Sequence, residues 1–316
     1  MKTLIQFAYH QASPYKTEKS IYNIITGKKS HQTFFDAVSL NLFTLFGIQK
    51  NLSWETFLTY ITHEPNDLRI PTNNQATFQT LTQTFENIQL LIQTLSHLKH
   101  QSTSFMPVSS QIDTHLKVKQ VYHQIKHQHL EESVYREIHH LFKRLNQQHP
   151  QSVVHYFLTG YEEGMYTAHQ IALIEKVHPE ALAVLIYKDL YYLHSLLAET
   201  EEFPILSQCR TPLKVSQAVY RTFLLIKEGY SMDTISQKNR ISVNTVYDHI
   251  IDLFINDYLE DYQLFINETQ KIQSFVKYYE LFPKQRLKFY KNEFDMFTYF
   301  EIKLIIICIT KGVLYA

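Results

Sequence analysis

Glycine is scarce in this chain, 6 of 316 residues, where a usual share is ~7%. So few glycines leave little material for tight hairpins or phosphate-cradling loops. Cysteine is scarcer still. Cys209 and Cys308 are the only two, which excludes a disulfide framework and suits a reducing compartment. Net charge is absent as well, with 30 Lys and Arg against 30 Asp and Glu. The chain as a whole is therefore no electrostatic nucleic-acid binder, and any such binding must come from a local patch. Long apolar runs are missing too: the most apolar one, Leu304 to Ile309, is too short to span a bilayer. The start turns polar by His10 and Gln11, too soon for a signal peptide. These absences read as a soluble cytoplasmic protein.

What is present favours a packed helical protein. With 21 Phe and 22 Tyr the chain can fill a sizeable core, and disorder is not expected. Stretches rich in Leu, Gln and Lys favour helix. The expected fold class is all-α: a multi-helix N-terminal domain over residues 1–200, with a secondary break at 101–111, a linker at 201–212, and a C-terminal helix-turn-helix domain over 213–316. The last is either winged-helix-like or trihelical. In the first region, apolar periodicity predicts helices over Phe34–Phe46, stopped by Gly47, from Trp54 after a Ser53 cap, and over Gln75–His100. The middle region predicts helices around Leu116–Gln128, Glu132–Gln147, Ala168–Val177 and Glu180–Glu199. No fixed-period repeat supports a solenoid.

The most informative stretch lies between Thr211 and Phe254. Thr211 and Pro212 read as the N-cap and first position of a helix, and Gly229 as its left-handed stop. Ser231 caps a short second helix, Arg240-Ile241-Ser242 makes a tight turn, and Ser242 caps a third helix from Val243. Ile235, Ile241, Val246 and Ile250, with Leu225 beneath, can form the apolar wedge that two steeply crossing helices require. This is helix-turn-helix spacing. Lys238, Arg240, Ser242, Asn244, Thr245 and Tyr247 are then the candidate DNA contacts, because the start of such a helix offers side chains to base edges and N–H groups to phosphates.

Charge complicates that reading. From Asp248 to Asp261 there are five acids (Asp248, Asp252, Asp257, Glu260, Asp261) and no Lys or Arg, a surface that phosphates repel. Asp248, Asp252, Asp257 and Glu260 are therefore candidates for meeting a basic protein partner. From Lys271 to Lys291 the sign reverses, with six bases and the single acid Glu280. Lys284, Arg286, Lys288 and Lys291, interleaved with Phe289 and Tyr290, are a second set of DNA candidates. A solvated helix face over core aromatics is the plainer alternative. Whether the third helix meets DNA or protein stays open at this point.

Gly229-Tyr230-Ser231 through Thr245-Val246-Tyr247-Asp248-His249-Ile250 resembles the helix-turn-helix domain at the C-termini of RecQ-type helicases, which also occurs in stand-alone YpbB-type proteins. Phe297-Thr298-Tyr299-Phe300-Glu301-Ile302-Lys303-Leu304 is similar to that domain's closing element, so the likeness covers roughly Leu213 to Ile309. Gly27-Lys28-Lys29-Ser30-His31-Gln32-Thr33, Asp36 and Leu45-Phe46-Gly47 also resemble the start of YpbB-type proteins. The resemblance implies a non-catalytic accessory protein in DNA repair or recombination, with a RecQ-type helicase and its DNA as expected partners. A stand-alone transcription regulator is the alternative.

Catalytic and metal readings are set aside. Gly27-Lys28-Lys29-Ser30 is no phosphate loop, since Tyr22 stands where the first Gly belongs and Lys29 where Ser or Thr belongs. His123-x-x-x-His127 has ligand spacing, but Gln124 replaces the glutamate of a zinc protease. Glu137-x-x-His140 and Glu175-x-x-His178 match the spacing of di-iron bundles, yet such pairs are common on polar helices. Cys308 reads as an inert core thiol and Cys209 as the more exposed one. No metal, cofactor or catalytic residue is expected.

Overall fold

The computed structural model describes residues 1–62, 69–266 and 269–315. Among these the chain forms fifteen α-helices and no strand. They are α1 (Lys2–Ala12), α2 (Glu18–Thr26), α3 (His31–Ser39), α4 (Trp54–Ile61), α5 (Phe78–Lys99), α6 (Ile112–His127), α7 (Glu131–Gln148), α8 (Ala168–Ile174), α9 (Pro179–Leu196), α10 (Gln217–Lys227), α11 (Met232–Asn239), α12 (Val243–Ile255), α13 (Thr269–Leu281), α14 (Leu287–Glu293) and α15 (Tyr299–Thr310). The all-α class follows, and with no strand among the described residues the helix-turn-helix is trihelical rather than winged.

The helix starts are set by short-range chemistry. Ser30, Ser53, Ser216, Ser231 and Ser242 each accept the N–H of the residue three positions on, satisfying a donor that the first turn leaves open. Thr167 with Gln170, and Thr298 with Glu301, complete reciprocal capping boxes. Two expectations shift. The helix expected over Phe34–Phe46 ends at Ser39, because Asn41 takes a left-handed conformation (φ 57°) and a 3-10 turn follows at Phe43–Leu45; Asn tolerates that conformation better than most residues. Thr211 and Pro212 do not open α10. The Thr211 N–H donates to Thr84 Oγ1 at 2.9 Å and its hydroxyl oxygen accepts from Asn87 Nδ2 at 3.2 Å; Ser216 supplies the cap instead.

The chain divides into two compact units, and not in linear order. The first unit is chiefly Phe78–Pro212, joined by Met1–Leu4. In it α5 packs on α6 and α9, and α7 packs on α9. Buried carboxylates fasten its loops. Asp189 accepts the N–H groups of Val153 and Val154 at 2.7 and 3.0 Å and pairs with His149 Nδ1 at 2.6 Å. Glu137 accepts from the N–H groups of Ile205 and Leu206 at 3.0 and 2.9 Å.

The second unit brings the chain after Ile5, through α2, α3 and α4, together with everything after Leu213. This corrects the expected assignment of residues 1–200 to one domain. The cause is α15: Ile302, Leu304, Ile305, Ile306, Ile307 and Cys308 are all buried, so this helix needs neighbours on every side. It finds α12, α14 and, from the other end of the sequence, α3. Earlier in this unit Gly27, at the end of α2, lies directly against Gly47, whose N–H donates to the Ile24 carbonyl at 2.9 Å. A Cβ on Gly27 (φ 69°) would stand 2.8 Å from the Gly47 Cα, a spacing only glycine allows.

Candidate nucleic-acid interface

The helix-turn-helix is built from α10, α11 and α12, and both of its corners use one device. At the first, Gly229 (φ 80°) sits past the end of α10; its N–H reaches the Ile226 carbonyl and that of Tyr230 the Leu225 carbonyl. At the second, Arg240 (φ 53°) takes the same left-handed position; its N–H reaches the Gln237 carbonyl and that of Ile241 the Ser236 carbonyl. Each corner is a Schellman motif, followed two residues later by a capping serine, Ser231 or Ser242. Ser236 Oγ adds a 2.6 Å bond to the Ile241 carbonyl across the second corner. The wedge forms largely as expected. Ile235, Val246 and Ile250 are fully buried, joined by Val219, while Ile241 and Leu225 are half-buried.

The candidate DNA contacts separate into two kinds. Lys238, Arg240, Ser242 and Asn244 are exposed and cluster at the α11–α12 corner. Lys238 Nζ lies over the Tyr230 ring at 4.3 Å. Thr245 is half-buried, its N–H and hydroxyl both facing Ser242 Oγ. Tyr247 is turned inward. Its ring stacks on Phe300 of α15, 4.5 Å between centroids and 18° between planes. From Leu213 to Asn244 the bases Lys214, Arg221, Lys227, Lys238 and Arg240 outnumber the acids Glu228 and Asp233, so the corner carries the positive charge that the rest of α12 lacks.

Three of the four acids expected to meet a partner have basic partners within the second unit. Asp248 Oδ1 accepts from Lys303 Nζ at 3.3 Å. Asp257, itself left-handed, pairs with Lys311. Asp252 is buried and bonds His31 Nδ1 on α3 at 2.7 Å. Glu260 stays exposed. The His31 bond to Asp252 raises the His31 pKa, against a smaller lowering from burial. The His31 ring lies 5.5 Å from that of His249, whose pKa is lowered by burial first and by the charge on His31 second. His249 Nδ1 bonds Thr222 Oγ1 at 2.7 Å, and Asn239 Nδ2 donates to the same hydroxyl at 3.3 Å. A polar chain, buried at Asp252, His249 and Thr222 and half-buried at its ends, thus links α3 to the last residue before the Arg240 corner. Nothing in the sequence marks it, because its members lie up to 221 positions apart.

The second basic stretch forms α13 and α14. Arg286 and Lys288 are exposed, and Lys284, left-handed at φ 64°, is half-buried. Lys291 is held by the fold, its Nζ donating to the Asp295 and Phe297 carbonyls at 2.5 and 2.7 Å. Tyr290 is fully buried, whereas Phe289 is exposed.

The two Glu–His pairs weighed for metal chemistry have other partners, while His123 and His127 are exposed. Glu137 holds backbone N–H groups; His140 bonds Glu202 at 2.5 Å; Glu175 accepts from the Tyr156 hydroxyl at 2.6 Å; and His178 caps α9. Among the described residues no group of three or more His, Cys, Asp or Glu is placed to hold a metal ion. Both cysteines are buried, and burial pushes each thiol up to about 12. This corrects the expectation that Cys209 is the exposed one. No helix among the described residues is long and apolar enough to cross a membrane.

The profile of a family described as "Helix-turn-helix domain" matches residues 218–306, which span α10 to most of α15. The chain is also similar to "Protein YpbB" of Bacillus subtilis (strain 168), 22% identical over 232 residues. That match covers 70% of this chain and 63% of the relative. No solved structure gives a significant match.

Proposed function

We propose that this chain is a non-catalytic DNA-binding adaptor that works beside a RecQ-type helicase in DNA repair or recombination. The asymmetry of α12 carries the DNA half of this reading. Its C-terminal half is buried from Ile250 to Ile255, while Ser242 and Asn244 stand exposed at its start beside Arg240 and Lys238. That end offers polar side chains, two cations and first-turn N–H groups, the set a recognition helix brings to a major groove. The helicase half rests on the resemblance of Gly229–Ile250 and of the closing element around Thr298–Leu304 to the RecQ C-terminal domain.

Two measurements test it. Binding of the full chain to a random-sequence duplex should fall steeply with added salt; binding that is absent or insensitive to salt contradicts the DNA half. The purified chain should co-elute with a RecQ-type helicase, and Glu260→Lys should weaken that complex. Absence of co-elution contradicts the helicase half. Preference for one duplex sequence over random DNA by orders of magnitude would favour a transcription regulator instead.

A further inference from the structure

The turn between α13 and α14 combines three features that the helix-turn-helix does not use. The first is charge. From Phe282 to Phe289 the chain carries Lys284, Arg286 and Lys288 and no acid, and Lys277 is exposed on α13 one turn earlier. The second is aromatic surface. Phe282 and Phe289 remain 44% and 38% exposed, their centroids 5.9 Å apart with planes inclined at 62°. They do not cover each other face to face, and both lean on Tyr278, at 5.0 and 5.8 Å. The third is rigidity. The fully buried Tyr290 donates its hydroxyl to the Phe282 carbonyl at 2.6 Å and accepts from the Gln285 N–H at 3.0 Å. Its ring is wedged between Phe275 and Tyr279, each 5.4 Å away.

We propose that this turn is a binding surface for single-stranded nucleic acid, with bases stacked on Phe282 and Phe289 and phosphates held by Lys277, Arg286 and Lys288. A duplex hides its base faces, so exposed rings reward only an unpaired strand. Flanking cations supply the sequence-independent attraction. The pinned turn removes part of the ordering cost that a mobile loop would meet on binding. Glu280 on α13, Glu293 at the end of α14 and Asp295 beyond it bound the positive region, so the strand lies across the turn and not along α14. The proposal stands independently of the helix-turn-helix reading.

The test uses the full chain and fluorescently labelled oligothymidylate and oligouridylate of roughly 16 nucleotides, the upper end of common single-strand site sizes. Both should bind, with affinity falling with salt at a log–log slope of about −2, as three neutralised phosphates on a single strand predict. Phe289→Ala should weaken binding about tenfold. Arg286→Gln with Lys288→Gln should weaken it and flatten the slope, and neither change should alter duplex affinity. Phe289→Leu keeps the apolar packing but loses the ring, so it should weaken single-strand binding at an unchanged melting temperature. Arg240→Gly should spare single-strand binding. The proposal is overturned if Phe289→Leu and the double charge variant both leave single-strand affinity unchanged, or if Arg240→Gly reduces it equally. Capture of the chain on phosphatidylserine vesicles without any single-strand binding overturns it as well.

Discussion

His31 is worth following first, because its position in the sequence gives no hint of its bond to Asp252. Its pKa is raised in the folded chain, so the stability it contributes is fully present below the ordinary value of ~6.5 and is lost as pH rises through the higher folded value. His31→Asn should therefore lower the urea midpoint more at pH ~6 than at pH ~8; a gap that does not change with pH contradicts the assignment. His194 behaves in the opposite sense. Burial, aided by the Arg210 charge, holds it down to about 3, and Arg210 Nε donates to its Nε2 at 3.2 Å. The unfolded chain takes up that proton first, so the native chain loses stability as pH falls from ~6.5 toward that value, by about 1.4 kcal/mol per pH unit. His194→Gln should be less stable at neutral pH, with the difference from the natural chain shrinking as the solution is acidified. The caps at Ser53, Ser231 and Ser242 were legible from sequence because they act over three residues, whereas Thr211-Pro212 drew the reading away from Ser216. The histidine partners were not legible, since Asp252 lies on a different helix from His31 and Arg210 lies in the segment before α10.

At the scale of the element, the helix-turn-helix was readable because its grammar is local: a left-handed corner, a residue, a capping serine. The Gly229 corner announces itself by residue type. The Arg240 corner was readable only by its length, since nothing about arginine favours φ 53°, and such a conformation costs a non-glycine residue about 1–2 kcal/mol. Gly229→Ala should therefore destabilise the chain by about 1 kcal/mol, with open space around the added methyl. Ile250→Ala, in the fully buried wedge, should cost about 2–5 kcal/mol in urea unfolding. The inward turn of Tyr247 escaped the sequence reading. Its stacking partner Phe300 is on α15, and a helical face can be judged only when its neighbours are known. The partners of the acids on and just after α12 escaped that reading as well: Lys303, His31 and Lys311 face Asp248, Asp252 and Asp257.

At the scale of the molecule, the mixing of the two chain ends in the second unit was the least legible feature. Apolar periodicity says that a helix must be covered, not by which segment, and α3 and α15 are separated by most of the sequence. A fragment restricted to residues 213–316 lacks α3, against which both α12 and α15 pack. It should show no cooperative urea transition by itself and gain one when residues 1–62 are supplied. A cooperative transition of the fragment alone would contradict this architecture.

The central claim is that the Arg240 corner, and not the acidic length of α12, faces duplex DNA. Arg240→Gly tests it most directly, because glycine accepts the left-handed conformation and leaves the corner intact while removing the cation. Measured in the full chain by fluorescence anisotropy on a random-sequence duplex, this substitution should lower affinity severalfold and flatten the salt dependence by about one phosphate contact, with the melting temperature preserved or raised as the left-handed strain is relieved. Unchanged duplex affinity and an unchanged salt slope would contradict the account.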